Sequence, residues 1–424
     1  MMASTIIQRK KIETVSPTRK LVMGIVFVVI SGLILLFFAL NSEAEWITTF
    51  VMNPGGLERG LAGDWVLPTS LTLYVLVGLT LGMGIYQLLR GFGKQTNAIL
   101  GVVVALFVFA FLTWAAGGKS LNLGGMLSSA VLLSVPITLG AFSGVLCERA
   151  GVVNIAIEGM MLMASMVGAL VGSITQSLII GLLASIAASV LLALVHAVLS
   201  IKYKINQIIS GTVINIFSAG MTSYISAKFL QRYEYLNGPP IFPRFPIPLL
   251  ADIPIIGPIL FNQNIFVYAM FILLIVLQVA LFRTRWGLRL RSVGEHPKAA
   301  DTLGINVFRT RYMAVLLGGV VAGIGGAFFT LGSVGRFDEM MTAGKGYIGL
   351  AAMVFGNWTP IGSFGAGMLF GFADSIATKL SILGTTIPPQ FMSMAPYITT
   401  MIVLAGIVGK GQMPAADGEP YEKE

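Results

Sequence analysis

Polar side chains interrupt an otherwise apolar stretch of the chain, and their types suit the binding of a polar solute. The stretch GVLCERAGVVNIAIEGMMLM at 144–163 contains Glu148, Arg149, Asn154 and Glu158. Carboxylate and amide groups hydrogen-bond to hydroxyls and to nucleobase edges. Transport proteins place substrate sites where membrane helices break, since broken backbone is tolerated beside protein or a water-filled cavity. The same stretch is explained equally well as an ordinary inner loop with a solvated Glu148–Arg149 pair.

A second interruption, NWTPIGS at 357–363, separates two short apolar segments in the second half of the chain. Pro360 accounts for this break, because proline lacks a backbone donor and clashes with the preceding helical turn. Asn357 and Trp358 place an amide and an indole beside it. One interruption in each half suggests an internal repeat, although the two stretches share little sequence.

Further polar residues occur within or near the apolar runs. Asp374 is ionisable, and such residues are costly inside a membrane and often functional there, although an ion pair or a helix cap explains Asp374 as well. The amides of KINQIISGTVINIF could bind a solute or could tie helices together. We predict that a substrate pathway is lined by Asn154, Glu158, Asn206, Gln207, Asn215, Asn357, Trp358 and Asp374.

Side chains for covalent or metal chemistry are scarce in this sequence. The two histidines lie on different segments and Cys147 is the only cysteine, so no nucleophile–base pair or metal-ligand cluster can be proposed. GGKS at 117–120 looks like the end of a phosphate-binding loop, but Thr113 stands where that motif requires glycine. We predict a protein that is not an enzyme and holds no metal or cofactor. Its driving energy would come from another subunit or from an ion gradient.

The densest charged segment is RTRWGLRLRSVGEHPKAADTLGINVFRTR at 283–311, which holds seven of the 27 Lys and Arg residues. Its beginning is predicted to be a basic helix end whose long side chains reach the membrane interface. Pro297 then favours the start of a short helix that ends at Gly304. A short helix of this kind could dock into a groove on a partner or lie on the membrane surface. Its small apolar face favours docking.

Composition places the chain in a lipid bilayer. It has 424 residues, of which 56% are hydrophobic and only 11% charged, whereas soluble domains carry about 25% charged residues. The net charge of +9 does not indicate a nucleic-acid partner, because the basic residues flank apolar runs, where they set membrane orientation.

The lengths of the apolar runs predict an all-α polytopic membrane protein with about 12 transmembrane helices, some of them short or broken. The core would hold about nine or ten of these helices, preceded by extra N-terminal spans. The predicted inner segments carry the larger share of Lys and Arg, which favours cytoplasmic N- and C-termini. The predicted spans are 21–41, 66–89, 97–116, 126–146, 159–173, 179–200, 212–228, 264–282, 312–333, 347–356, 364–378 and 394–409.

Four motifs in a fixed order resemble the permease subunits of bacterial ABC importers for nucleosides and simple sugars. The motifs are CERAGVVNIAIEGMM, INQIISGTVIN, GLRLRSVGEHPKAADTLGINV and GYIGLAAMVFGNWTPIGSFGAGMLFGFADSI. The wider group includes branched-chain amino acid and ribose permeases. The resemblance covers roughly residues 121–410.

The resemblance implies a set of partners in the inner (plasma) membrane of a bacterial cell. A second, related permease would complete a heterodimeric pore, two cytoplasmic ATPase subunits would hold ATP and Mg, and an extracytoplasmic protein would deliver the substrate. Nucleosides are the leading substrate class. The loop similar to the family's ATPase-coupling helix contains Gly294, Glu295, His296, Pro297, Lys298, Ala299, Ala300 and Gly304.

The resemblance also divides the chain. Residues 1–120 form an N-terminal extension with about three extra spans that relatives usually lack, residues 121–410 form the permease core, and residues 411–424 form a cytoplasmic tail. The alternative from a different class of protein is a secondary transporter driven by protons or sodium, with Asp374 as its ion-coupling carboxylate.

Overall fold

The computed structural model describes residues 17–55, 62–383, 394 and 412–423. Helices dominate these residues, as the apolar runs predict. The helices are α1 Pro17–Leu33, α2 Thr69–Leu89, α3 Thr96–Ala115, α4 Leu123–Glu148, α5 Ile157–Thr175, α6 Leu178–Ala197, α7 Gln207–Ile225, α8 Ile265–Arg283, α9 Arg285–Glu295, α10 Pro297–Thr302, α11 Val307–Ala327, α12 Lys345–Phe355 and α13 Pro360–Ile382. Wider π-helical turns extend α1, α6, α7 and α11 at their C-terminal ends, and the strands are β1 Ile47–Val51, β2 Trp65–Pro68, β3 Ser120–Asn122, β4 Arg244–Pro246 and β5 Asn262–Asn264.

Within the described residues, nine helices are long and apolar enough to cross a membrane, and they coincide with the first nine predicted spans. The predicted span at 347–356 is corrected. It is the 11-residue helix α12, about 17 Å long at 1.5 Å per residue, which is too short to cross the hydrocarbon. The predicted span at 364–378 lies inside the longer helix α13, and the span predicted at 394–409 falls almost entirely outside the described residues.

The described chain divides into two compact units. The first contains α1, α2, α3 and a small sheet of order β2-β1-β3, in which β1 pairs antiparallel with β2 and parallel with β3. Aliphatic and aromatic side chains from its three helices form a separate core that includes Ile34, Phe38 and Leu73. This unit therefore has its own packing centre.

The second unit contains α4 to α13 and the residues 412–423. Its centre is formed by α4, α5 and α11, whose most apolar windows are 89%, 72% and 72% buried inside the protein. Small residues allow the close packing: the α-carbons of α11 and α6 approach so closely that a Cβ added at Gly319 would lie 2.5 Å from the Cβ of Ala193. Such contacts between small residues are how helices associate in lipid.

Side chains at the helix starts satisfy backbone donors that have no partner within the helix. Asn206, Asn264, Thr284 and Asn306 accept hydrogen bonds from the first turns of α7, α8, α9 and α11. This capping is the usual role of Asn and Thr at such positions. Thr284 also separates α9 from α8, which corrects the prediction that the basic stretch continues a membrane helix.

Candidate functional site

The two polar interruptions lie against each other, and we call their contact the junction. It consists of the α4–α5 break at 149–156, with Glu148 and Glu158 on either side of it, and the turn at 356–359 between α12 and α13. Arg149 donates from Nε to the Trp358 carbonyl at 2.7 Å and from Nη2 to the Asn357 carbonyl at 3.1 Å. The indole Nε1 of Trp358 donates to Glu148 Oε2 at 2.5 Å. Glu148 and Arg149 are buried, so the explanation as a solvated pair is wrong.

Backbone conformation shows how tightly the turn is held. Asn357 and Trp358 have φ values of 53° and 52°, in the left-handed region. Asparagine tolerates this region, whereas a bulky tryptophan adopts it only when its surroundings compensate. Here the two carbonyl bonds to Arg149 and the indole bond to Glu148 provide that compensation. Burial lowers the pKa of Arg149 from its ordinary value, and charge-assisted bonds of this kind retain a buried guanidinium.

Glu158 holds the other end of α12. Its Oε1 accepts from the Thr342 hydroxyl at 2.6 Å and from the Gly344 amide at 2.9 Å, and its Oε2 accepts from the Gly346 amide at 2.7 Å. The first amides of a helix lack partners within it, and its positive dipole end favours a carboxylate. Two glutamates on either side of the α4–α5 break therefore hold the two ends of α12.

The side-chain amides of Gln207, at the start of α7, and of Asn154, in the α4–α5 break, form hydrogen bonds with backbone groups of the break. Gln207 Oε1 accepts from the Val153 amide at 2.6 Å, and Asn154 Oδ1 accepts from the Ala156 amide at 3.1 Å. His196 lies 3.0 Å from the Val153 carbonyl and 3.0 Å from the Ser210 hydroxyl. These contacts hold the backbone in the middle of the break, where residues 152–154 belong to no helix, strand or turn.

Asn215 connects the break to a tyrosine that sequence reasoning did not select. Its Oδ1 accepts from the Gly159 amide at 2.8 Å, and its Nδ2 donates to the Ile155 carbonyl at 2.8 Å and to the Tyr347 hydroxyl at 3.0 Å. Tyr347 is 47% exposed, so its ring reaches the surface of this chain while its hydroxyl is fixed. The sequence signal that could have identified Tyr347 is its position in GYIGL, where it is a lone aromatic hydroxyl at the start of the short apolar segment.

Asp374 forms an ion pair with Lys345, and both side chains are about one-fifth exposed. This is the ion pair that the sequence left open as an explanation for Asp374. Of the eight predicted pathway residues, Asn154, Glu158, Gln207, Asn215, Asn357 and Trp358 gather around the junction and α12. Asn206 caps α7, and Asp374 lies on α13. Their role in lining a pathway remains a prediction.

The charged segment forms a loop with one exposed and one buried side. Within it, α10 begins at Pro297 and ends at Thr302, and Gly304 follows with φ of 82°, as the sequence predicts. Gly294 and Ala300 are buried and Pro297 is partly buried. The exposed members are Glu295, His296, Lys298, Ala299 and Gly304.

The loop touches the junction directly. A Cβ added at Gly294 would lie 2.3 Å from the Arg149 carbonyl oxygen and 3.2 Å from the Gly151 amide. Real Cβ atoms essentially never approach other atoms that closely. Only glycine allows this backbone-to-backbone contact between the loop and the α4–α5 break.

Among the described residues, no group of three or more His, Cys, Asp or Glu side chains could hold a metal ion. The junction binds its own backbone and the α12 termini. Its chemistry is therefore that of polar recognition and mechanical linkage.

The chain matches the family described as "Branched-chain amino acid transport system / permease component" over residues 126–407. It belongs to this permease family. The permease is 39% identical over 305 residues to the guanosine ABC transporter permease protein NupQ of Bacillus subtilis, covering 69% of this chain and 95% of that protein. It is 38% identical over 311 residues to the nucleoside ABC transporter permease protein NupC of Lactococcus lactis, covering 70% and 96%.

A third relative of the permease is the putative glucose ABC transporter permease protein TsgC13 of Haloferax volcanii, 32% identical over 327 residues and covering 71% of this chain and 98% of that protein. No solved structure matches the chain. These relatives confirm the predicted family and permease role, and nothing in them supports ion coupling through Asp374.

Proposed function

We propose that the permease carries nucleosides across the plasma membrane of a bacterial cell as one translocation subunit of an ABC importer. The observation that carries this proposal is the loop of α9 and α10. Ala299 and its exposed neighbours face outward from the loop. Gly294 lies against the α4–α5 break, which is part of the junction. A partner that moves this loop moves the membrane helices with it.

The relatives support nucleosides as the substrate class. NupQ and NupC, at 39% and 38% identity, are named for guanosine and nucleosides, whereas the relative named for glucose is 32% identical. A purine or pyrimidine nucleoside presents hydroxyls and base edges that amides and tyrosine hydroxyls recognise. Tyr347 offers such a hydroxyl on a ring that reaches the surface of the chain.

The partners follow from this role. A second permease faces this one across the pathway, and two cytoplasmic ATPase subunits hold ATP and Mg²⁺. An extracytoplasmic protein delivers the nucleoside. NupC of Lactococcus lactis has a counterpart named NupB in the same organism, which is 25% identical to this chain over 154 residues. Two different permease sequences in one organism support a heterodimeric pore. The larger share of Lys and Arg in the inner segments supports cytoplasmic termini for this chain.

The mechanism uses rigid-body motion of packed helices. The ATPase subunits displace α10, and the contact between Gly294 and the Arg149 carbonyl passes the displacement to the α4–α5 break. Arg149 then carries the α12–α13 turn with it through the Asn357 and Trp358 carbonyls. The permease itself performs no covalent chemistry.

The test is uptake of radiolabelled guanosine into proteoliposomes that contain the permease, its sister permease, the ATPase subunits and the substrate-binding protein. Ala299→Glu adds charge to the exposed face of α10 and is expected to lower ATP-dependent uptake about tenfold by weakening ATPase docking. Ala44→Glu, at an exposed alanine in a turn outside the membrane-spanning helices, is the control and is expected to retain uptake.

Unchanged uptake in Ala299→Glu contradicts docking through α10. Excess unlabelled glucose is expected to leave guanosine uptake unchanged, and displacement by glucose would contradict nucleoside selectivity. Dissipating proton and sodium gradients is expected to have no effect, since the driving energy comes from ATP.

A further inference from the structure

The C-terminal residues Gln412–Lys423, which we call the strap, have no helix or strand of their own. Even so, Pro414, Ala416 and Tyr421 are buried. An irregular segment gains such burial only from the surfaces on which it lies. The strap therefore takes its conformation from other parts of the permease.

One side of the strap lies on the coupling loop. The Ala416 amide donates to the Gly294 carbonyl at 2.9 Å, and the Ala415 amide donates to Glu295 Oε2 at 3.2 Å. The ring of Tyr421 lies 5.3 Å from that of Phe308. Tyr421 also completes an apolar cluster with Val293, Ala300 and Val307. Tyr421 thus covers the buried face of α10 and leaves the opposite, exposed face open for docking.

The other side of the strap lies on the junction. The Gln412 amide donates to Asn357 Oδ1 at 2.6 Å in the α12–α13 turn. The carboxyl group of Asp417 lies beside that of Glu148, the same residue that accepts from Trp358. A Cβ added at Gly151 would lie 2.9 Å from the Ala416 carbonyl. The strap therefore reaches both breaks that form the junction.

Arg311 at the start of α11 provides a third attachment. It is almost fully buried, and its Nη1 donates to the Glu419 carbonyl at 2.8 Å. The charges of Asp417 and Glu419 also act on this guanidinium. A buried arginine needs such partners, because an uncompensated buried charge is strongly destabilising. Arg311 and the strap are consequently held to each other.

We propose that the strap is a coupling element that makes the α9–α10 loop, the α12–α13 turn and the base of α11 move together when the ATPase subunits displace the loop. This inference rests on the proposed function. A tail that only stabilised the fold would need to cover one apolar patch. The strap instead bonds to the loop, to the turn and to α11, which are the parts that must be displaced in concert.

The decisive quantity is the number of guanosine molecules imported per ATP hydrolysed by the reconstituted complex. Ending the chain at residue 411 is expected to lower this ratio at least about tenfold while ATP hydrolysis stays within about twofold. Tyr421→Ala, which removes only the ring that anchors the strap under α10, is expected to lower the ratio about threefold. Glu422→Gln is the control. Its side chain is 75% exposed and pairs with Lys204 at the surface, and exposed pairs contribute little, so the ratio is expected to stay close to the wild-type value.

A second readout is independent of the solute. Hydrogen exchange of the amides at 150–156 is expected to change in the wild-type complex when ATP and vanadate are added, and this change is expected to disappear without the strap. A wild-type complex that imports no guanosine but shows the exchange response refutes the proposed substrate and leaves the coupling role supported.

The coupling role is overturned by either of two results. One is an unchanged import ratio in both the truncated and the Tyr421→Ala complexes. The other is an exchange response at 150–156 that survives removal of the strap. If the truncated permease binds less ATPase and imports proportionally less guanosine, the import per ATP of the complexes that remain is unchanged. That outcome counts as the first result, because it assigns the strap a purely stabilising role.

Discussion

At the scale of single residues, three buried ionisable side chains around the junction have specific hydrogen-bond partners. Glu158 accepts from one hydroxyl and two amides, and Glu148 accepts from an indole. Arg149 donates to two carbonyls. Buried polar groups are stabilised only when such partners are complete. Removing one of these side chains should therefore leave several buried groups without partners at once.

We expect Glu158→Ala to lower the free energy of unfolding by about 3 kcal/mol, because the Thr342 hydroxyl and the Gly344 and Gly346 amides lose their acceptor. The measurement is thermal and denaturant unfolding of the detergent-solubilised protein. Glu339→Ala is the control, since Glu339 is exposed and its removal is expected to change stability little. Equal stability of the two variants would show that Glu158 does not hold the start of α12.

Asp417 predicts a pH dependence of strap docking. Burial raises the pKa of Asp417 to about 6 from 3.8, and its neighbours are Glu148, Arg311 and the backbone of Gly418. A carboxyl whose pKa is raised in the docked state binds its proton more tightly there. Docking is therefore strongest at low pH and weakens as the pH rises from about 4 through about 6.

From pH 7.5 to pH 5.5 we expect the docking equilibrium to strengthen about fourfold. Limited proteolysis of the strap measures this, with the cleavage rate at each pH divided by that of Asp417→Asn, whose neutral side chain removes the contribution of Asp417. A ratio that does not change with pH would contradict the placement of a titrating Asp417 against Glu148.

At the scale of elements, α12 behaves as a short rod held at both ends. Glu158 binds its first amides, and the Trp358 turn at its far end is bound by Glu148 and Arg149. The coupling loop contacts this assembly at Gly294, where two backbones meet without a side chain between them. The contact is rigid because it consists of backbone atoms, and no side chain in it can change rotamer.

We expect Gly294→Ala to destabilise the permease by about 2 kcal/mol and to reduce uptake, because the added methyl group forces the loop away from the Arg149 carbonyl. Unfolding of the purified protein and uptake by the reconstituted complex measure the two effects. Gly365→Ala is the matched control, since no atom lies within 4 Å of a Cβ added there. In a helix this substitution is neutral or slightly stabilising. Wild-type behaviour of Gly294→Ala would refute the close contact.

At the scale of the whole molecule, the relatives match only part of the chain. About 70% of this chain aligns with 95% of the length of NupQ and with 96% of the length of NupC. The family match begins at residue 126, and the first unit, with its own apolar core, lies mostly before it. The matched part therefore contains what the relatives use.

We expect a permease that begins at Ser120 to retain ATP-dependent guanosine uptake within about threefold of the full chain, because the second unit has a separate core. Uptake per correctly inserted molecule is the measurement, with insertion checked by protease protection. Complete loss of uptake in correctly inserted molecules would show that the first unit takes part in transport.

The sequence alone determined the membrane class, nine of the spans, the short helix between Pro297 and Gly304, and the positions of the two interruptions. The length of an apolar run and the position of a proline determine structure locally, so these features can be predicted from the sequence. The same local signals misjudged the stretch at 347–356, because its apolar residues belong to a helix of 11 residues, which is too short to span the membrane.

Only the tertiary structure decided that the two interruptions meet, that Glu148 and Arg149 are buried, and that Tyr347, Arg311 and the strap belong with them. Arg149 and Trp358 are more than 200 residues apart in sequence, yet they share a hydrogen bond of 2.7 Å. Neither the periodicity nor the composition of the sequence indicates which donors, far away in sequence, will hydrogen-bond to a buried carboxylate. That choice is made when helices pack, because packing brings together donors and acceptors that are far apart in sequence.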